Sequence, residues 1–99
     1  METTNSTSRQ KFVLGRIVAT PAALDALMQN GESSHGLLMR HSTGDWGDLC
    51  EGDKQANDMD LSHGGRLLSA YILRDGQTKI WVITEADRSS TCVLMPEDY

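Results

Sequence analysis

Residues 66–95 read RLLSAYILRDGQTKIWVITEADRSSTCVLM, with two β-branched and aromatic runs, LLSAYIL and TKIWVIT, on either side of Arg74-Asp75-Gly76-Gln77. An Asp-Gly centre favours the tight primed turns that join antiparallel strands. With Asp75 and Gly76 as a two-residue loop, Tyr71 is expected to face Ile80, and Ala70 to face Trp81. A second break at Glu85-Ala86-Asp87-Arg88-Ser89 leads into Thr91-Cys92-Val93-Leu94-Met95, which Pro96 ends. The segment predicts a three-stranded antiparallel meander.

Upstream, KFVLGRIVAT (residues 11–20) predicts a further strand in which Gly15 marks a bulge or a close backbone approach. Thr20-Pro21 supplies an N-cap and a proline at the first helical position. Leu24, Leu27 and Met28 then have the spacing of one buried stripe before Asn30-Gly31 stops the helix. Ser33 or Ser34 caps a second short helix with Leu37, Leu38 and His41 on one face, Met39 and Arg40 turned away, and Gly44 at its end. Asp45 to Gly52 reads as a loop anchored by Trp46 and Leu49, residues 53–61 as a third helical segment, and Ser62-His63-Gly64-Gly65 as a turn. The fold expected is α+β, an antiparallel sheet of three to four strands with two or three short helices packed on one face. The polar residues 1–10 read as a flexible tail before a single domain over 11–99.

The 99 residues include 14 acids and 9 bases, a formal charge of -5. Residues 45–60, DWGDLCEGDKQANDMD, carry six acids against Lys54 alone and so account for that whole imbalance; the rest of the chain is neutral. A chain of this length buries only about 60–65% of the surface of its unfolded form, enough for one modest core, and leaves room for a homodimer. Two cysteines, Cys50 and Cys92, are too few for a disulfide scaffold, and METTNSTSRQ has no signal-peptide pattern, so a reduced, cytoplasmic protein is expected. The apolar runs fall far short of the roughly 20 residues that span a bilayer, and no membrane association is expected.

The densest polar constellation is His41, Asp45, Trp46, Asp48, Glu51 and Asp53, where Gly44 and Gly47 let the chain turn sharply. Three readings stand open for it: a solvated or capping loop, a surface for a protein partner, and a site where carboxylates gather a divalent cation for a metal-dependent hydrolase or nuclease. The spacing fails the calcium-loop pattern. His41, Cys50, His63 and Cys92 lack the paired spacing of a zinc knuckle. Glu85, Asp87 and Arg88 form a second candidate surface, read most simply as a salt-bridged turn and otherwise, with Arg66, as an anion holder. Ser89, Ser90, His63 and Asp87 lack a nucleophile elbow. The nine bases are scattered, which disfavours direct nucleic-acid binding. No cofactor is implied.

The stretch HSTGDWGDLCEGDKQAND (residues 41–58), followed by GGRLLSAYILRDGQTKIWVITEADRSSTCVLMPEDY (residues 64–99), resembles a family of small uncharacterised bacterial proteins found in genomes and on plasmids or other mobile elements. The likeness covers residues 12–99. It implies a bacterial host and a mobile-element setting, and supplies no catalytic residues. Some members carry a label as a methylation subunit of restriction systems; this chain has no Asn-Pro-Pro-aromatic run and no glycine-rich cofactor loop. The expectation is a small non-enzymatic interaction or accessory protein, with the 41–53 loop and the 85–88 turn as contact surfaces.

Overall fold

The computed structural model describes residues 10–99. Apart from Gln10, the tail expected over residues 1–10 lies outside the described residues. The elements are β1 (Arg16–Ala19), α1 (Pro21–Gln29), α2 (Ser34–Ser42), α3 (Glu51–His63), β2 (Leu67–Ile72), β3 (Lys79–Thr84), β4 (Ser90–Leu94) and a 3-10 turn, Pro96–Asp98. The fold is α+β, and the strands form one sheet in the order β1-β4-β3-β2.

The meander has the expected register, with Tyr71 opposite Ile80 and Ala70 opposite Trp81. The turn that sets it differs from expectation. Gly76 N–H donates to the Leu73 carbonyl, so Arg74 and Asp75 are the central pair. Of the loop residues only Gly76 has positive φ, whereas a type I′ turn needs it at both central positions. The Asp75 carboxylate holds the loop by accepting from the Gln77 and Thr78 N–H groups and the Thr78 hydroxyl, which lowers its pKa to about 2.

The sheet is mixed rather than antiparallel, because β1 runs parallel to β4. The cause is connectivity: β1 leads through Thr20 into the helical layer, which carries the chain to the far edge before β2 begins. Such a crossover returns a strand in the same direction. Gly15 is the close approach expected of it; its φ is 67°, and a Cβ there would run into the Arg88 and Ser89 carbonyls.

Alternation gives the sheet two faces. Leu67, Ser69, Tyr71, Ile80, Val82, Thr84, Thr91 and Val93 share one face; its apolar members pack against Ala23 and Leu27 of α1, Leu37 and Leu38 of α2, and Phe12 and Trp46. Thr20 caps α1 through Ala23 N–H, and Ser33 caps α2 through Gly36 N–H. The stripe expected on α1 is only partly buried: Leu27 is inside with Ala23, while Leu24 and Met28 are exposed, because the helix rests on its alanine side. α3 extends beyond the expected 53–61 and lies beside β2, ending at Gly64 in the left-handed region. On the opposite face the Tyr99 ring leans on Trp81 at 5.8 Å. Among the described residues no helix is long and apolar enough to cross a membrane.

Candidate functional site

The residues singled out in the 41–53 region divide into a buried aromatic half and an exposed acidic half. His41 is fully buried at the end of α2, and Trp46 is 4% exposed. Phe12, His41 and Trp46 pack as three rings, with Phe12 edge-on to His41 at 5.2 Å and near-parallel to Trp46 at 6.2 Å. The indole Nε1–H donates to Asp58 Oδ1 at 2.9 Å, so the ring closes the core and ties α3 to the loop.

A chain of hydrogen bonds with defined directions runs through His41. Thr91 Oγ1 donates its only proton to the Leu14 carbonyl at 2.7 Å, since a carbonyl can only accept. The Thr84 hydroxyl, 2.7 Å from Thr91, must therefore donate to it. Thr84 then accepts from His41 Nε2–H at 2.9 Å, and in the neutral ring Nδ1 accepts from the Ser69 hydroxyl at 2.6 Å. The histidine is neutral, with the proton on Nε2. Burial, reinforced by the nearby Arg88 charge, lowers its pKa to about 4. This chain joins α2, β2, β3, β4 and the approach to β1, and it ends on a backbone carbonyl. Both ring nitrogens are occupied, so His41 has no lone pair to offer a substrate or a metal.

The acids are held apart. Asp45 pairs with Arg40 at 2.7 Å, which keeps its carboxyl below the usual range, and its backbone carbonyl accepts from the Tyr71 hydroxyl at 2.6 Å. Asp48 Oδ2 accepts from Ile72 N–H at 2.9 Å. Glu51 and Asp53 stand exposed in the first turn of α3, where carboxylates complement the helix dipole. Among the described residues no three His, Cys, Asp or Glu side chains gather as a metal site. Of the residues weighed for zinc, His41 is committed to hydroxyls, Cys50 is exposed, His63 bonds the Met59 carbonyl, and Cys92 lies on the other face of the sheet.

At the second candidate surface, the expected carboxylate partners of Arg88 are replaced by backbone carbonyls. Its guanidinium donates to the carbonyls of Gly65, Glu85, Ala86 and Asp60, which pins an Arg88 backbone at φ 62°. Glu85 faces Arg66 at 3.7 Å instead, and the Asp87 carboxylate accepts from Ser89 N–H. Arg66 also donates to the Tyr99 hydroxyl, so the two arginines do not converge on an anion site.

Residues outside every sequence motif also hold the sheet edge. Asn57, 5% exposed, reaches β2 from α3: its Nδ2 donates to the Leu68 carbonyl at 2.7 Å, and its Oδ1 accepts Leu68 N–H at 3.1 Å. Two positions further on, Ala70 N–H donates to the Trp46 carbonyl and Asp48 N–H to the Ala70 carbonyl, a parallel bridge centred on Gly47. With the Asp48 side chain on Ile72 N–H, the outer edge of β2 is covered. β1, at the other edge, is covered by no described residue. Arg16 and Thr20 N–H groups donate to the Ser89 and Val93 carbonyls of the β4 side, so alternation turns the N–H and C=O groups of Ile17 and Ala19 outward. No described residue bonds them, and Val13, Ile17 and Val18 there are 63%, 49% and 45% exposed.

These features define a small α+β protein with a four-stranded mixed sheet that is closed at one edge and, among the described residues, open at the other. Comparison with known proteins found no matching family model, no similar curated protein and no similar solved structure.

Proposed function

We propose that this chain is a non-enzymatic interaction protein that docks through the open β1 edge of its sheet, in the bacterial cytoplasm and the mobile-element setting that the family resemblance implies. One observation carries the reading: an apolar edge strand whose outward backbone donors and acceptors meet no described partner stands on a molecule whose other edge is covered at Leu68, Ala70 and the Ile72 N–H. Such a strand is a template for pairing with another chain, and the one charge on β1 is Arg16 at its start. Of the residues that suggested chemistry, His41 is held in a closed hydroxyl chain, Asp45 in an ion pair and Asp48 in an edge contact.

The test is capture of a specific protein, from a bacterial lysate or as a differently tagged copy of this chain, by the wild-type chain and by Val18→Lys. Loss of the captured protein with Val18→Lys is expected. Capture that survives Val18→Lys but is lost on charge reversal at Asp53 overturns this surface in favour of the acidic face of α3.

A further inference from the structure

We infer that the occupant of the β1 edge is a second copy of this chain, paired antiparallel through β1 about a two-fold axis at Val18. The inference rests on the reading of that edge as the docking surface and adds what docks there.

The backbone pattern is complementary to itself. Ile17 and Ala19 are the β1 residues whose N–H and C=O groups point outward. An antiparallel copy with Val18 on the axis sets Ile17 opposite the other copy's Ala19, and Ala19 opposite its Ile17. Each is a hydrogen-bonded pair that exchanges two N–H···O bonds, so all the outward groups of β1 are satisfied. Val18, whose polar groups point inward to β4, takes the non-bonded position, where side chains approach most closely. Centring the pair on Ile17 would instead set Ala19 against Gly15, whose φ of 67° is not extended.

Charge follows the same symmetry. With Val18 on the axis, Arg16 of one copy lies opposite Thr20 of the other, and both are on the Val18 face of the sheet. Thr20 Oγ1 donates to Asp98 Oδ2 at 2.7 Å, so the exposed Arg16 comes to a position already marked by a carboxylate. The two-fold makes two such cation–carboxylate approaches. Arg16 has no ion pair among the described residues. A specific interface takes roughly a tenth of a small protein's surface, which for 5690 Å² is on the order of 570 Å² per copy. The four residues of β1, with Val13, Ile17 and Val18 exposed, would stand at the centre of such an interface, which falls at the small end of specific ones.

The experiment combines sedimentation of the full chain over a concentration series with cross-linking. Cys92 neighbours Val18 across β1 and β4, so cysteine variants are made in a Cys50→Ser, Cys92→Ser background. The expected result is a concentration-dependent dimer and, under mild oxidation, a disulfide dimer for Val18→Cys but not for Ile17→Cys, since only the on-axis position meets itself at disulfide distance. Arg16→Glu should weaken dimerisation about tenfold, and adding Asp98→Arg should restore it. A monomer at millimolar concentration, or Ile17→Cys cross-linking as well as Val18→Cys, overturns the inference. If that monomer still captures a protein that Val18→Lys loses, the docking reading stands and only the second copy is refuted.

Discussion

The two edges of the sheet are built from opposite materials. At β2, the Asn57 amide imitates a neighbouring strand for Leu68, the Trp46–Asp48 backbone does so for Ala70, and the Asp48 carboxylate receives Ile72 N–H. At β1, four residues with exposed Ile17 and Val18 present their outward backbone to no described partner. An unprotected strand edge invites pairing, so the difference separates where this chain stabilises itself from where it can meet another. It also accounts for much of the acidic segment. Of its six acids, Asp48 covers the edge, Asp58 holds Trp46, Asp45 pairs with Arg40, and Glu51 and Asp53 begin α3.

The covered edge should break hardest at Gly47. Its φ is 78°, and a Cβ there would meet the Ala70 carbonyl and the Tyr71 ring, so Gly47→Ala must push the bridging segment off β2. Strain and overpacking together cost about 4 kcal/mol, read as a lower urea midpoint. An unchanged midpoint would mean that the cover is dispensable. Asn57→Ala strips the two bonds to Leu68 without a clash and should cost about 2 kcal/mol. It also uncovers strand edge, so its unfolding should become less reversible.

Acid reaches the same half of the molecule from beneath. His41 has its pKa lowered from 6.5 to about 4 in the folded chain, so between these values the unfolded state binds more protons. Its contribution is fully present above pH 6.5 and is lost as pH falls toward 4, a drop of about 3 kcal/mol. His41→Gln should lower stability at neutral pH and flatten this part of the pH profile. A wild-type stability that stays level from pH 7 to 4.5 would contradict the neutral, hydroxyl-bonded histidine.

The meander was legible because its signals are local: alternation and a turn at Asp75-Gly76 set the register even though the turn centre lies one residue earlier. The caps at Thr20 and Ser33 were legible for the same reason. The direction of β1 was not, since it depends on a crossover through three helices, and the exposure of Leu24 and Met28 depends on which side of α1 meets the sheet. The His41 chain left a trace in the sequence: Ser69, Thr84 and Thr91 occupy core-facing positions of otherwise apolar strands, where a hydroxyl needs a partner. Asn57 and the open edge left none, because an edge exists only once strand order is known.

Val18→Lys should have the smallest effect on stability and should separate the two edges most sharply. Val18 is 45% exposed, and its backbone groups serve β4, which a lysine backbone serves equally. Lysine also blunts an edge, so the isolated chain should change by no more than about 0.5 kcal/mol, read under conditions where it is monomeric. Under conditions of association the same substitution sets two ammonium groups at the two-fold, and the dimer should be lost. A residue whose replacement leaves folding intact and abolishes association belongs to an interface. A loss of several kcal/mol in the monomer would instead make β1 a second structural edge and remove the difference between the two sides of the sheet.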